Sequence, residues 1–469
     1  MTRDNGHSSG SGGTADVFGK CIRGQFIHTP VLGEVVAHDD ALVTVDGDGF
    51  IASVIDQRSP EFFATLEAAE REERLVRLDA GQYLLPGLVD LHVHAPQWPQ
   101  LGKALHLPLH QWLQQYTFPL EARYADIGFA RPSYESLVDN LLANGTTTAA
   151  YFGSIHLEAT KLLADITLAK GQRALIGKVA MDNPDQCPEF YRDGSTGAGL
   201  DDTLAFIEYV RGVAGTERAL VQAAVTPRFI PSCTDDMLTG LGRMAADLDC
   251  HVQTHCSESD WQHAYVLERH GMKDTDSLDR FGLLTDKTIL AHGILIDEAD
   301  MTTIRRRRSG IAHCPLSNLY LSHAVFPARR ALDSGLKVGL GTDIAGGPSA
   351  SILQNCQQAV NVSRALEDGV DARRPAGERG TPGSRINFRE AFWMATVGGA
   401  KVLNLPIGRF EAGFAFDALL VDTQIRDSNL VVWGGLDSAD DVLQKIVNNA
   451  DRHDIRNVWV QGRAVKDPR

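Results

Sequence analysis

The rhythm of apolar and polar positions changes twice along this chain. From about residue 20 to 85 it reads as short strands and turns, as in CIRGQFIHTP and ALVTVDGDGFIASV. The GDG at 47–49, between two apolar runs, predicts a hairpin. From about residue 85 onward, short apolar runs alternate with helical stretches. Eight of these runs predict strands, at 84–93, 146–153, 173–181, 220–228, 251–256, 288–292, 310–314 and 337–342. Segments such as EATKLLADITLAKG and DDTLAFIEYVRGVA carry helical spacing between most of them. Strands that alternate with helices imply a parallel sheet, and eight such units imply a (β/α)8 barrel. After residue 400, IGRFEAGFAFDALLVD and VWVQGRAVKD return to strands and turns. The expected fold is therefore an α/β, TIM-like barrel over 85–404. Beside it stands a small β-sandwich domain composed of 19–84 and 405–469, and a disordered leader occupies 1–18.

Composition narrows the function classes. A chain of 469 residues, 43% of them hydrophobic, buries a large core. The formal net charge of −15 argues against nucleic acid and against anionic membrane as partners. A neutral small molecule needs no steering field, so it stays open as a ligand. No apolar stretch approaches the ~18–20 residues of a membrane span. The opening MTRDNGHSSGSGGTAD is polar and Gly/Ser-rich, unlike a signal peptide. The seven cysteines are scattered and form no C-x-x-C pair, which suits reduced thiols in a cytoplasmic protein. The RRRR run at 305–308 reads as a solvated helix face.

Chemistry enters at the C-terminal ends of the predicted barrel strands, where such barrels carry their sites. VDLHVHAPQ ends the first strand with His92 and His94, which strand alternation points the same way. The fifth strand ends in His255, the sixth in His292 and the eighth in Asp343. Imidazoles and a carboxylate are suitable ligands for a divalent, zinc-like ion. A lone histidine in such a place is more often packed or hydrogen-bonded than a ligand. Five matched placements on four strands make that reading improbable. Glu258, three residues past His255, is placed to take a proton from an activated water. The blander reading makes it a loop acid at a helix start.

The fourth strand ends in TPRF. Arg228 has only donors and suits a carbonyl or carboxylate, Phe229 offers a flat apolar ring, and Gln97 both donates and accepts. Each alone reads as structural; together they describe a pocket for a planar heterocycle with a carbonyl edge. Opposite an amino group, Arg228 would become a buried cation without a partner. Lys178 raises the competing possibility of a lysine that bridges two metals. It is expected in the middle of the third strand, so one metal is favoured.

PGLVDLHVH and GTD, with THCSE between them, resemble the amidohydrolase superfamily. LPLHQWLQQYTFP and VTPRF narrow the resemblance to the guanine deaminase family within it. NGTTTAAYFGSIH, GKVAMD, IAHCPLSNLYLS and KVGLGTDIAGG follow in the family's order, over roughly 80–400, and FDALLVD extends the resemblance beyond. The resemblance implies hydrolytic deamination of guanine to xanthine and ammonia. It implies His92, His94, His255 and Asp343 as ligands of one zinc ion, with ferrous iron also suited. It implies Glu258, Asp343 and His292 as catalytic residues. His94, Gln97, Arg228, Phe229, His255, Glu258 and Asp343 would touch the substrate, and a homodimer is common in the family. Deamination of a related amino-oxo heterocycle, such as 8-oxoguanine or a pterin, is the near alternative. A non-catalytic binding or assembly member of the fold is the remote one.

Overall fold

The computed structural model describes residues 15–214, 220–322 and 324–466. The leader expected over 1–18 lies outside the described residues as far as residue 14. Eight parallel strands form the larger sheet: Leu88–His94, Thr146–Phe152, Arg173–Gly177, Val221–Pro227, His251–Cys256, Thr288–His292, Gly310–His313 and Lys337–Leu340. A short stretch, Val179–Ala180, continues the third strand and pairs with the fourth. Backbone bonds from Asp343 N to His92 O (2.8 Å) and from His94 N to Ile344 O (2.9 Å) join the eighth strand to the first. The sheet thereby curls into the expected (β/α)8 barrel.

The helices between strands come from the spacing read in the sequence. Leu157–Lys170 buries Leu162, Leu163 and Ile166 against the sheet and stops at Gly171, whose φ of +75° is the left-handed C-terminal cap. Inside the barrel, Val89, Leu91, Ala150, Leu175, Ala224, Ile289 and Ala312 pack with Ala400, Val402 and Leu403. That apolar plug lies below the polar residues at the strand ends, so the mouth is the accessible end. The arginine run ends the helix Glu298–Arg307, its four side chains exposed, and pairs with Asp279 and Asp286.

The two chain ends share a second, mixed sheet. Its order is Arg463–Ala464, Ile455–Val460, Ala418–Asp422, Gln82–Pro86, Cys21–Val31, Glu34–Val45 and Ile51–Asp56, with Leu75–Arg77 beside Cys21–Val31. The last pair in that order is the hairpin expected around 47–49. Side chains alternate across this sheet. Cys21 and Leu42 face Phe62 and Leu66 of the helix Phe62–Arg71, whereas Ile22 and Val43 join Phe26, Leu84 and Trp459 in a separate cluster.

Besides the break in the third strand at Lys178, the first expected strand divides between the two sheets. The run 84–93 serves both sheets, because Gln82–Pro86 pairs with Ala418–Asp422 and Leu88–His94 with the barrel. Gly87 is the crossing point. A Cβ there would come within 2.2 Å of Thr147 Oγ1, so only glycine permits the close pass.

Candidate active site

His92, His94, His255, His292 and Asp343 all reach one buried spot above the plug. The ring centroids of His92 lie 4.8 Å from those of His94 and His255 and 5.3 Å from that of His292. His94 Nε2 and His255 Nε2 are 3.0 Å apart. Asp343 Oδ1 lies 3.2 Å from His92 Nε2 and 3.5 Å from His94 Nε2. Ligands that share one ion at ~2.0–2.1 Å stand at such separations from one another. His255 Nδ1–H donates to Arg228 O at 2.6 Å, which leaves its Nε2 lone pair toward the cluster.

Three strand ends bend sharply to make this convergence. Ser257, His292 and Asp343 all take left-handed φ, at +49°, +74° and +50°. Non-glycine residues held there cost of order 1–3 kcal/mol each, and such strain collects at functional sites.

The donor set fits a divalent cation. Both ring nitrogens of fully buried His92 lack a hydrogen-bond partner among the described residues. A buried imidazole left unbonded at both nitrogens is costly unless a ligand or ion takes a lone pair. Burial pushes His92, His94, His255 and His292 below the ordinary imidazole range, so they stand as neutral lone-pair donors. Burial also pushes the Glu258 and Asp343 carboxyls up. A divalent ion among them supplies the positive charge that buried carboxylates need.

Glu258 lies beside this cluster, its Oε1 3.7 Å from His292 Nε2. The loop that carries it hangs on a residue sequence reasoning missed. Fully buried Asp274 accepts from Ser257 N at 3.2 Å and from Gln262 Nε2 at 2.5 Å. Gln262 Oε1 in turn accepts from Glu258 N at 3.4 Å. Asn318 was missed as well. Its side-chain oxygen is 2.9 Å from His292 Nδ1 and sets the plane of that ring, which aims Nε2 at Glu258 and Asp343.

A cavity opens onto the cluster. Of the expected residues, His94, Gln97, Arg228, Phe229, His255, Glu258 and Asp343 line it, while His92 and His292 sit behind. Leu109, Trp112, Leu113 and Leu321 complete the apolar wall, and none of these had been singled out. The first three come from the LHQWL stretch quoted for the resemblance. Nothing in that stretch alone said which of its faces meets the pocket.

The structure changes two expectations. Arg228 is no lone cation, because Glu121 accepts from Nη1 at 2.6 Å and from Nη2 at 3.0 Å. Burial works against the guanidinium charge, yet the Glu121 carboxylate outweighs it and holds the group above its ordinary range. Rejection of an amino group at this edge therefore rests on donor facing donor, with no orphaned charge behind it. Lys178 lies fully buried at the break in the third strand and forms an ion pair with Asp193, whose other oxygen accepts from Met181 N at 2.8 Å. It is absent from the cavity lining and from the His/Asp cluster.

Comparison with known proteins bears on the family and the fold. The sequence pattern of the amidohydrolase family matches residues 83–465. Guanine deaminase of Dictyostelium discoideum is 34% identical over 463 residues, which is 95% of this chain and 98% of that protein. Guanine deaminase of Homo sapiens is 36% identical over 451 residues, covering 95% and 96%. Among solved structures, guanine deaminase from C. acetobutylicum with guanine bound in its active site superposes with a TM-score of 0.84. It is 29% identical, over 95% of this chain and 99% of that one.

Proposed function

The chain belongs to the amidohydrolase family, and from that premise we propose that it deaminates guanine hydrolytically, to xanthine and ammonia. One observation carries the reading. A single cavity is lined by the donors Arg228 and Gln97, by the rings of Phe229 and Trp112, and by a His/Asp cluster with a buried acid beside it. That arrangement suits a flat heterocycle with an oxo edge and a carbon open to attack by water. His92, His94, His255 and Asp343 would hold one ion, proposed as zinc, with ferrous iron suited to the same ligands. When bound, such an ion supplies Lewis acidity and brings the pKa of water down toward ~7.

The remaining work falls to the chain's own residues. Arg228 and Gln97 donate to O6, and Phe229 covers the ring, so C2 faces the cluster. Glu258 takes a proton from the attacking water and delivers it to ring N3. His292, aimed by Asn318, faces the oxygen added at C2. Asp343 takes the second proton and passes it to the departing amino group, the C2–N2 bond breaks, and ammonia leaves. Glu258, His292 and Asp343 each offer an atom within 4.8 Å of the others, close enough for such transfers.

No helix among the described residues is long and apolar enough to cross a membrane. A cytoplasmic homodimer is the proposed setting. The test is ammonia release from guanine, 8-oxoguanine, a pterin and adenine, with metal analysis of the same preparation. Guanine is expected to be turned over fastest, with about one ion per chain. Adenine turnover within ~100-fold of guanine would mean that shape alone sets the preference, since a polar contact rejects its missing counterpart by ~10⁴–10⁵-fold.

A further inference from the structure

Glu121 does not line the cavity, yet two polar residues that do, Gln97 and Arg228, are tied to it. It belongs to the helix Phe118–Ala122 and is buried, at 1% exposure. Besides the two bonds from Arg228, its Oε1 accepts from Gln97 Nε2 at 2.9 Å. The other end of the Gln97 amide is also taken, since its Oε1 accepts from Ala345 N at 3.1 Å. Phe118, on the same short helix, lies under the guanidinium at 5.2 Å.

These contacts decide a question that a glutamine alone leaves open. A free amide can present either its oxygen or its nitrogen to a ligand. Here a flip would set Oε1 against a carboxylate and Nε2 against a backbone N–H. Both contacts would be repulsive, and both would be buried. Gln97 thus keeps one free N–H at Nε2 while its Oε1 is already engaged by Ala345 N, and Arg228 has nothing but donors. The same carboxylate neutralises Arg228, so a ligand carboxylate would bring a second negative charge beside Glu121. A neutral oxo group brings none.

We propose that Glu121 is a positioning residue that sets substrate specificity. It locks the Gln97 amide and the Arg228 fork as a donor-only edge, which accepts a neutral heterocycle with an oxo group there and rejects one with an amino group. The inference rests on the guanine reading of the cavity. It extends that reading to a residue that need not touch the substrate.

The test compares guanine with 2,6-diaminopurine, which keeps the reacting 2-amino group and replaces the 6-oxo acceptor with a donor. Wild type is expected to favour guanine by ~10⁴-fold in kcat/KM, the scale for a site built around a polar contact. Glu121→Gln removes the charge and frees the Gln97 amide to turn. The preference should then fall at least tenfold, with guanine KM rising more than kcat falls and metal content unchanged. Glu121→Asp keeps the charge but withdraws it by one methylene, so its preference should lie between those of wild type and Glu121→Gln. Should Glu121→Gln not fold, a reduced preference in Glu121→Asp still carries the inference. Variants that lose both substrates in equal proportion, with the ratio unmoved, would overturn it and leave Glu121 a packing residue. A wild type inert on guanine overturns the substrate reading together with this inference. An active wild type with an unmoved ratio in the variants overturns this inference alone.

Discussion

Replacing Lys178 with methionine separates a structural lysine from a metal-bridging one. Methionine keeps most of the apolar stem and removes the ammonium. Lys178 is fully buried and Asp193 is 8% exposed, so water cannot replace the lost partner. The Asp193 carboxylate would keep one described donor, Met181 N at 2.8 Å. Burial already pushes that carboxyl up, with Lys178 pulling it back down. Breaking a buried ion pair by removal of one partner costs about 3–5 kcal/mol. Protonation of Asp193 offers a cheaper escape, which places the expected loss at the lower end of that range. Lys178→Met with Asp193→Asn removes both charges and retains an acceptor for Met181 N. It should recover most of the loss, because paired neutral replacements of buried ion pairs are often close to neutral in stability. The assay is urea unfolding of metal-saturated wild type, single and double variants, followed by fluorescence and circular dichroism, with metal counted per chain. Expected are a lowered midpoint in the single variant, its return in the double, and about one ion per chain throughout. A wild-type count near two that drops in Lys178→Met would refute the reasoning. So would a single variant destabilised by less than about 1 kcal/mol, well below the ~3–5 kcal/mol typical of an orphaned buried charge.

Three further outcomes are expected. His92→Ala should lose bound metal and guanine turnover while far-UV circular dichroism stays that of the folded barrel; full activity in that variant would remove His92 from the ligand set. Glu258→Gln should lower kcat by at least the ~10²–10⁴-fold typical of a general acid–base group. Metal content should remain normal there, and its loss would make Glu258 a ligand. His28 accepts from Phe410 N at 3.1 Å, and burial, with His38 and Arg409, lowers its pKa to about 4. A depressed histidine gives stability that is complete above the unfolded value of ~6.5 and is lost as pH falls toward 4. That window is worth about 3 kcal/mol at ~1.36 kcal/mol per unit. A His28→Asn variant should therefore unfold with a flatter pH dependence between 6.5 and 4, and an unchanged slope would count against a neutral buried His28.

The barrel and most of its mouth were legible in the chain because the rules that place them are local. A strand's two-residue period sends His92 and His94 the same way. The strand-end position of His255, His292 and Asp343 needs only the knowledge of where each apolar run stops. The strand over 84–93 was read too long, since pairing partners, invisible in a single run, divide it at Gly87. A partner distant in sequence was legible nowhere. Glu121 lies 107 residues before Arg228, and Asn318 lies 26 after His292. Asp274 reaches Gln262 from the next helix, and Asp193 meets Lys178 only because the third strand breaks there. A buried charge must find a partner, but its own neighbourhood in sequence does not say which one. The sequence by itself thus determined which strand ends bring His92, His94, His255, His292 and Asp343 to one mouth. Tertiary structure alone decided which buried charges are neutralised, how the Gln97 amide faces, and which apolar residues wall the cavity. Those properties belong to contacts between elements, whose energies depend on burial and geometry more than on residue type.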